Sequence, residues 1–461
     1  MTSIIISVFI AGYLCIALEG VTKVNKAGVA LFMSVVCWGI YMLCADTYAS
    51  QFYPQELASY LAEGGKSAMG FITENVFSKH VAETCETILF LMGAMTIVEV
   101  VDSNGGFNFV TRRLKTDSHK KLLWKTVIIT FFLSALLDNM TTCIVMVMVL
   151  KKLVTDRQMR LLYAGMIIIA ANAGGAFSPI GDVTTIMLWI KGCVSTTGII
   201  TSLLFPSIVS VIVPTLLVMP MFKGEVISNI PETMHTVTDS KQPFTRCARK
   251  AIFAIGVLGL MLVPVFRNIT GLPPFVGVMG VLAILWITTE IMIRRNKHLK
   301  KMDDRVRVSN IMKKIDMSTI LFFLGILLTV SSLQETGTLN AFGLWLNDAF
   351  GSVYIVNTLI GVMSSIVDNV PLVASAMGMY NIEPAGTIGT MQAYCQDGVF
   401  WELLAYCAGT GGSMLIIGSA AGVVVMGLEN ISFGWYLKRF TWIAFVGYIS
   451  GIIAYWLQSM I

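Results

Sequence analysis

The 461-residue chain is 56% apolar and only 13% charged, with 28 methionines and a mean hydropathy of +0.76, a balance that excludes an ordinary soluble domain. A net charge of +5 would suggest a nucleic-acid partner if it were clustered, but the Lys and Arg sit in short loops between apolar stretches, where they set membrane orientation. Nine cysteines, odd in number and without a CxxC, suggest neither a disulfide framework nor a zinc site, and no cofactor is expected.

Residues 4–22 form the first expected span, since the stretch lacks the basic start and small-x-small cleavage site of a signal peptide. Lys23 and Lys26 follow it, which places the N-terminus outside the cytoplasm. A second span covers 28–45. The interval 46–83 is net acidic, with Asp46, Glu56, Glu63, Glu74 and Glu83 against Lys66 and Lys79, and fits the outside. A third span, 84–101, ends at Glu99 and Asp102, read as interfacial anchors; Glu290 is read the same way further on.

Basic runs at 112–125, 151–160, 241–250, 294–314 and 438–439 are assigned to the cytoplasm. The first run contains Arg112, Arg113, Lys115, Lys120, Lys121 and Lys125. Residues 126–150 are apolar with basic clusters on both sides and Asp138-Asn139 near the middle. One crossing would carry a cluster outward, so the stretch is expected to be a re-entrant hairpin with Asp138-Asn139 at its tip. Ionisable groups and non-helical backbone at that depth are tolerated when protein or a water-filled cavity surrounds them.

Spans at 161–190, 198–221, 251–269, 274–293 and 317–334 follow, with 222–250 as a cytoplasmic linker. Residues 353–380 repeat the hairpin pattern around Asp368-Asn369, but with Asp348 and Glu383 on the flanks, so this hairpin enters from outside. Spans at 399–430 and 440–458 complete ten and place both termini outside the cytoplasm. Two of the ten are long and carry clusters that helices tolerate poorly, Gly174-Gly175 through Pro179 to Asp182 and Gly409-Thr410-Gly411-Gly412-Ser413. Unwinding is expected there, exposing carbonyls that can coordinate a cation.

The two halves match internally. Ile88-Leu89-Phe90 and Gly93 correspond to Ile320-Leu321-Phe322 and Gly325 at an offset of 232, and Ser134 with Asp138-Asn139 corresponds to Ser364 with Asp368-Asn369 at 230. Gly174-Gly175 with Ile180-Gly181 corresponds to Gly411-Gly412 with Ile417-Gly418 at 237. The expected fold is therefore an all-α polytopic membrane protein of two inverted repeats, 1–221 and 251–461, each with five spans, one re-entrant hairpin and one discontinuous helix.

Asp138, Asp182 and Asp368 are the deepest acids, and an uncompensated carboxylate there must be protonated, paired or holding a cation. Asn139, Asn172, Asn369, Thr184, Thr185, Ser413 and Ser419 add the neutral oxygens a hard ion prefers, with Ser134, Ser178 and Ser364 in support. Burial favours a protonated carboxyl and a bound cation favours an ionised one, so one Asp holds either in turn. Asp138 and Asp182 are expected as the primary Na⁺ or Li⁺ ligands, because at the second break Ser419, Ala421 and Gly422 replace Asp182, Thr184 and Thr185. His80, His119, His235 and His298 all fall in loops on this map, which leaves the carboxylates as proton carriers and the histidines, at most, as pH sensors.

The bland alternatives are a tip Asp that only caps a half-helix and an Asp182 that only pairs with a lysine such as Lys191. The recurrence of the tips and the expected position of Lys191 at the membrane edge count against them.

At Ser134 to Thr142, Gly174 to Thr185 continuing into Met187-Leu188-Trp189, Val367 to Pro371 and Ile417 to Gly422, the sequence resembles the NhaD-type sodium/proton antiporters, a family of the ion-transporter superfamily. The resemblance covers nearly the whole chain. It implies exchange of cytoplasmic Na⁺ or Li⁺ for external protons in a bacterial inner membrane and, loosely, a homodimer. Carriers of arsenite or dicarboxylates, from the same superfamily, are the rival transport reading; two acidic tips disfavour an anion. An intramembrane aspartyl protease rests only on the fragment Gly181-Asp182, and neither an enzyme nor a nucleic-acid partner is expected.

Overall fold

The computed structural model describes residues 1–17, 24–65, 67–106, 113–114, 116, 118–222, 244–295, 307–366 and 368–460. Lys23, Lys66, Arg112, Lys115, His235, His298, Val367, the end of the first expected span and residues 223–243 of the linker lie outside the described residues.

Among the described residues the regular elements are helical. The helices of seven residues or more are, in chain order, α1 (Thr2–Ala17), α2 (Lys26–Leu43), α3 (Ala45–Phe52), α4 (Pro54–Ala62), α5 (Ala68–Ser103), α6 (His119–Leu137), α7 (Asn139–Leu153), α8 (Arg157–Ala176), α9 (Val183–Lys191) and α10 (Thr196–Val218). Then come α11 (Arg246–Thr270), α12 (Pro274–Arg295), α13 (Met317–Glu335), α14 (Thr338–Phe350), α15 (Val353–Ser364), α16 (Asn369–Met379), α17 (Val399–Gly411), α18 (Ala420–Glu429), α19 (Phe433–Arg439) and α20 (Thr441–Gln458). Eight of the helices described are long and apolar enough to cross a bilayer. The number rises to ten if α14 with α15, bent by 117°, and α18 with α19, bent by 114°, each make one span. The chain is a multi-pass membrane protein.

The chain forms two compact units. One contains Met1–Leu89, Asp316–Val356 and Val370–Glu383; the other contains Phe90–Ile315, Asn357–Asn369 and Pro384–Ile461. In the first, α2 packs along α13, pinned where Trp38 Nε1 donates to the carbonyl of Leu328 at 2.7 Å. Two expectations are corrected here. The third span does not begin near residue 84: Ser67 caps a helix that runs from Ala68 to Ser103 through a π-helical stretch, Ile72–Phe77, so much of the acidic interval is helical. His80 is not in a loop either. It lies on α5, buried, with Nε2 2.7 Å from Glu335 Oε1, while Tyr53 donates to Glu335 Oε2 at 2.6 Å. A buried carboxylate demands such partners, and the imidazole supplies one.

His119 is likewise helical. It opens α6 in the second unit, buried with its Nδ1 3.1 Å from the Tyr163 hydroxyl, which itself donates to the His119 carbonyl at 2.9 Å. Of the acids read as anchors, Glu99 accepts from Lys314 at 3.3 Å and Glu290 pairs with Arg294 one turn on at 3.7 Å.

The second unit is built around α6, α7, α8 and α17. Close approach is the organising feature: a Cβ on Gly174 would stand 2.1 Å from the Phe131 carbonyl oxygen, and one on Gly411 would stand 2.2 Å from that of Gly361. Only glycine lets these backbones touch. Ser134 Oγ donates to the Ala171 carbonyl at 2.6 Å beside the first contact, and Ser364 Oγ to the Ala408 carbonyl at 2.8 Å beside the second.

Candidate functional site

Two helix pairs and two helix breaks supply the polar groups. Helices α6 and α7 meet at Asp138, whose φ of +127° is a value L side chains rarely adopt. Its carboxylate caps α7, accepting from Thr141 N and from Thr141 Oγ1, both at 2.7 Å. Thr141, absent from the residues singled out by sequence, is thus the partner that holds this acid. The signal was the three-residue spacing from Asp138, a helix-capping interval.

Helix α8 stops at Ala176 and α9 starts at Val183. Pro179 and Gly181 lie in the six residues between, joined by tight turns from Ser178 N to the Gly175 carbonyl and from Gly181 N to the Ser178 carbonyl, whereas Gly174 and Gly175, expected to unwind, remain helical at the end of α8. Asp182 is the cap of α9: Oδ1 accepts from Thr184 N at 2.9 Å and Thr184 Oγ1 at 2.8 Å. Thr185 completes a capping box by turning its hydroxyl to the Asp182 backbone. The second break, between α17 and α18, ends at Ser419, whose backbone dihedrals of −144° and 152° are close to the −144° and 149° of Asp182.

Asp182 is 1% exposed and lies at the centre of the cluster. Asn139, at the start of α7, donates Nδ2 to Asp182 Oδ2 and also to Asn172 Oδ1 at 3.1 Å. Asn369, at the start of α16, reaches the same carboxylate at 3.4 and 3.5 Å. Asn172 then donates to Ser413 Oγ at 2.9 Å and Ser419 Oγ at 3.1 Å, which ties the two breaks together. Among the described residues, the hydrogen-bond partners of the Asp182 side chain, Asn139, Thr184 and Asn369, are neutral.

The structure therefore brings Asn139, Asn172, Asp182, Thr184, Asn369, Ser413 and Ser419 into one network. It engages Asp138 with Thr141 instead. Ser178 is turned to the Ala135 carbonyl at 2.6 Å, so it and Ser134 and Ser364 fasten backbone to backbone. Tyr436 is a further participant missed by sequence: fully buried, it donates to the Ser413 carbonyl at 2.8 Å and steadies the second break. Nothing marks one aromatic among Phe433, Trp435 and Tyr436, outside the expected spans, as a site residue. Chemically, one carboxylate amid amide, hydroxyl and backbone oxygens can hold a hard cation or a proton.

A family model described as "Citrate transporter" matches residues 7–395. The chain is 40% identical over 444 residues to Sodium/proton antiporter 1 of Arabidopsis thaliana, covering 96% of this chain and 70% of that protein. It is 37% identical over 448 residues to Sodium/proton antiporter 2 of the same plant, covering 96% of each. The Na(+)/H(+) antiporter NhaD of Vibrio parahaemolyticus is 31% identical over 378 residues, 77% of this chain and 86% of the relative.

Proposed function

We propose that this chain, which belongs to the citrate-transporter family and within it to the NhaD-type sodium/proton antiporters, exchanges Na⁺ or Li⁺ for H⁺ across a membrane by alternating access, with the two competing for Asp182. The observation that carries the reading is the state of that carboxylate. Ionised, buried at 1% exposure and met only by neutral partners, it costs several kcal/mol unless a cation joins it; protonated, it is stable alone. Either ligand satisfies it and each excludes the other.

Asn139 suits this alternation. Its amide nitrogen faces Asp182, and turning the amide over presents its oxygen to a cation in the same place. Asn172, Thr184, Ser413 and Ser419 provide further oxygens.

The finer architecture is part of the proposal: two inverted repeats, 1–221 and 251–461, with re-entrant hairpins at Asp138 and Asp368, basic loops facing the cytoplasm and both termini on the other side. Recurrent contacts support it. Gly174 meets Phe131 as Gly411 meets Gly361, and Ser134 meets Ala171 as Ser364 meets Ala408, each time at the offsets of 237 and 230 found in the sequence. An inner-membrane location is part of the same proposal.

The family model's description favours a second reading, transport of an organic acid. A carboxylate substrate needs free helix N-termini or basic side chains. Here the N-termini of α7 and α9 are already occupied by the side chains of Asp138 and Asp182. Addition of Na⁺, Li⁺, K⁺, citrate or arsenite to reconstituted vesicles carrying a pH gradient separates the readings. Dissipation by Na⁺ or Li⁺ is expected; dissipation by citrate alone would overturn it.

A further inference from the structure

We propose that Glu429 and Asp397 are positioning residues of the ion site, each fastening the far end of one half-helix to the beginning of the other broken helix. The proposal rests on the reading of Asp182 given above. The half-helices α9 and α18 are only 9 and 10 residues long, and their N-caps, Asp182 and Ser419, are the site groups. An element this short is placed by whatever holds its other end.

For α18 the hold is ionic. Glu429 in its last turn is 4% exposed, and Arg160 in the first turn of α8 donates Nε to both carboxylate oxygens at 3.1 Å. Arg160 also reaches the carbonyls of Val154 and Thr155 at 3.2 and 3.1 Å, while Lys151 donates to the Leu428 carbonyl at 2.6 Å. Asn430, with φ at +50°, closes the helix and accepts from Arg157 at 3.4 Å. Cations gathered at a helix C-terminus satisfy its carbonyls and its dipole together.

For α9 the hold is made by the residues that lead into α17. Asp397 accepts from Ser195 N at 2.5 Å and donates its own N–H to the Cys193 carbonyl at 3.0 Å; Gln396 donates to the Gly192 carbonyl at 3.0 Å. Asp397 takes φ of +59° to do both. The ties are thus crossed: the start of α8 grips the end of α18, and the start of α17 grips the end of α9. With Asn172 bridging to Ser413 and Ser419 between them, the spacing of the two breaks is fixed at the centre and at both ends. Loosening either end lets one cap drift from the other, which weakens a cation that needs oxygens from both.

The test uses full-length protein in proteoliposomes. For Glu429→Gln, Arg160→Gln, the double variant and Asp397→Asn, the half-maximal Na⁺ concentration and the maximal exchange rate are measured, together with amide hydrogen exchange of 183–191 and 420–429. Expected is a rise of about fivefold in half-maximal Na⁺ for each single variant with the maximal rate within about twofold, because positioning sets affinity more than turnover. The double variant should be no worse than the worse single variant, since both remove one interaction. Glu429→Gln should speed amide exchange in 420–429, and Asp397→Asn in 183–191. Unchanged half-maximal Na⁺ or unchanged amide exchange overturns the proposal. If Glu429→Gln does not insert, Asp397→Asn decides alone. Failure of the ion-site reading is distinguished by Asp182→Asn: full exchange by that variant removes the site, whereas the amide-exchange arm still reports whether the ties hold.

Discussion

Asn139 and Asp182, 43 residues apart in sequence, share a buried hydrogen bond between the start of α7 and the cap of α9. It joins the junction of α6 and α7 to a helix break, and it uses the amide group of Asn139 that, in the proposed function, gives way to a cation on Asp182. Asn139→Ala removes both the amide that steadies the empty carboxylate and the oxygen that would face the ion. Half-maximal Na⁺ for dissipation of a pH gradient should rise by about tenfold or more, the effect of losing one ligand worth roughly 1.4 kcal/mol. Wild-type values in this variant would remove Asn139 from the site.

Asp138 and Asp182 should respond differently to loss of charge. Asn is as good a cap as Asp, so Asp138→Asn keeps the bond from Thr141 N while removing the charge and the oxygen that accepts from Thr141 Oγ1. Exchange should persist with half-maximal Na⁺ raised by about tenfold or less. Asp138→Ala loses the cap as well, at about 1 kcal/mol of stability, visible as a lower melting temperature in detergent.

Competition fixes the sign of the pH dependence. As pH falls, protons occupy Asp182 and more Na⁺ is required, so half-maximal Na⁺ should climb towards about tenfold per pH unit on the acid side, the limit for one competing proton, and level off on the alkaline side. The maximal rate at saturating Na⁺ should change less. Half-maximal Na⁺ that is flat with pH while the rate alone changes would point to separate proton and cation sites.

The glycine contacts predict stability effects independent of any transport assay. Gly174→Ala and Gly411→Ala each drive a methyl group into backbone, with no flexible side chain to yield. Each should lower stability by about 1–3 kcal/mol or prevent insertion. Gly427→Ala, with nothing within 4 Å of the added Cβ, should be tolerated and serves as the control.

What the sequence disclosed follows from how each feature is encoded. Pro179 interrupts an apolar helix by its own backbone chemistry, so the break after α8 was readable, whereas Gly174, Gly175 and Gly411 stay helical, and Gly174 and Gly411 serve close backbone contact rather than unwinding. Asp138-Asn139 and Asp182 stood out because acids inside apolar runs need a reason. The hidden features depend on partners far away in the chain. His80 looked like a loop residue because its neighbours Lys79, Glu83 and Glu86 are polar, yet Glu335 accounts for its burial in a helix. Arg160 belongs to a basic run that reads as an orientation signal, and only the fold brings Glu429, 269 residues away, onto it. Ser67 did carry a local cap signal for the early start of α5, outweighed by the polarity of the residues after it.

The claim on which the rest depends is that one buried carboxylate, Asp182, alternates between a proton and a cation. It is tested most directly by Asp182→Asn reconstituted in proteoliposomes, with Na⁺- and Li⁺-induced proton movement measured against wild type at equal protein content. The variant should insert normally, since Asn can still cap α9, and show no exchange above protein-free vesicles. Exchange at the wild-type rate and wild-type half-maximal Na⁺ would contradict the account.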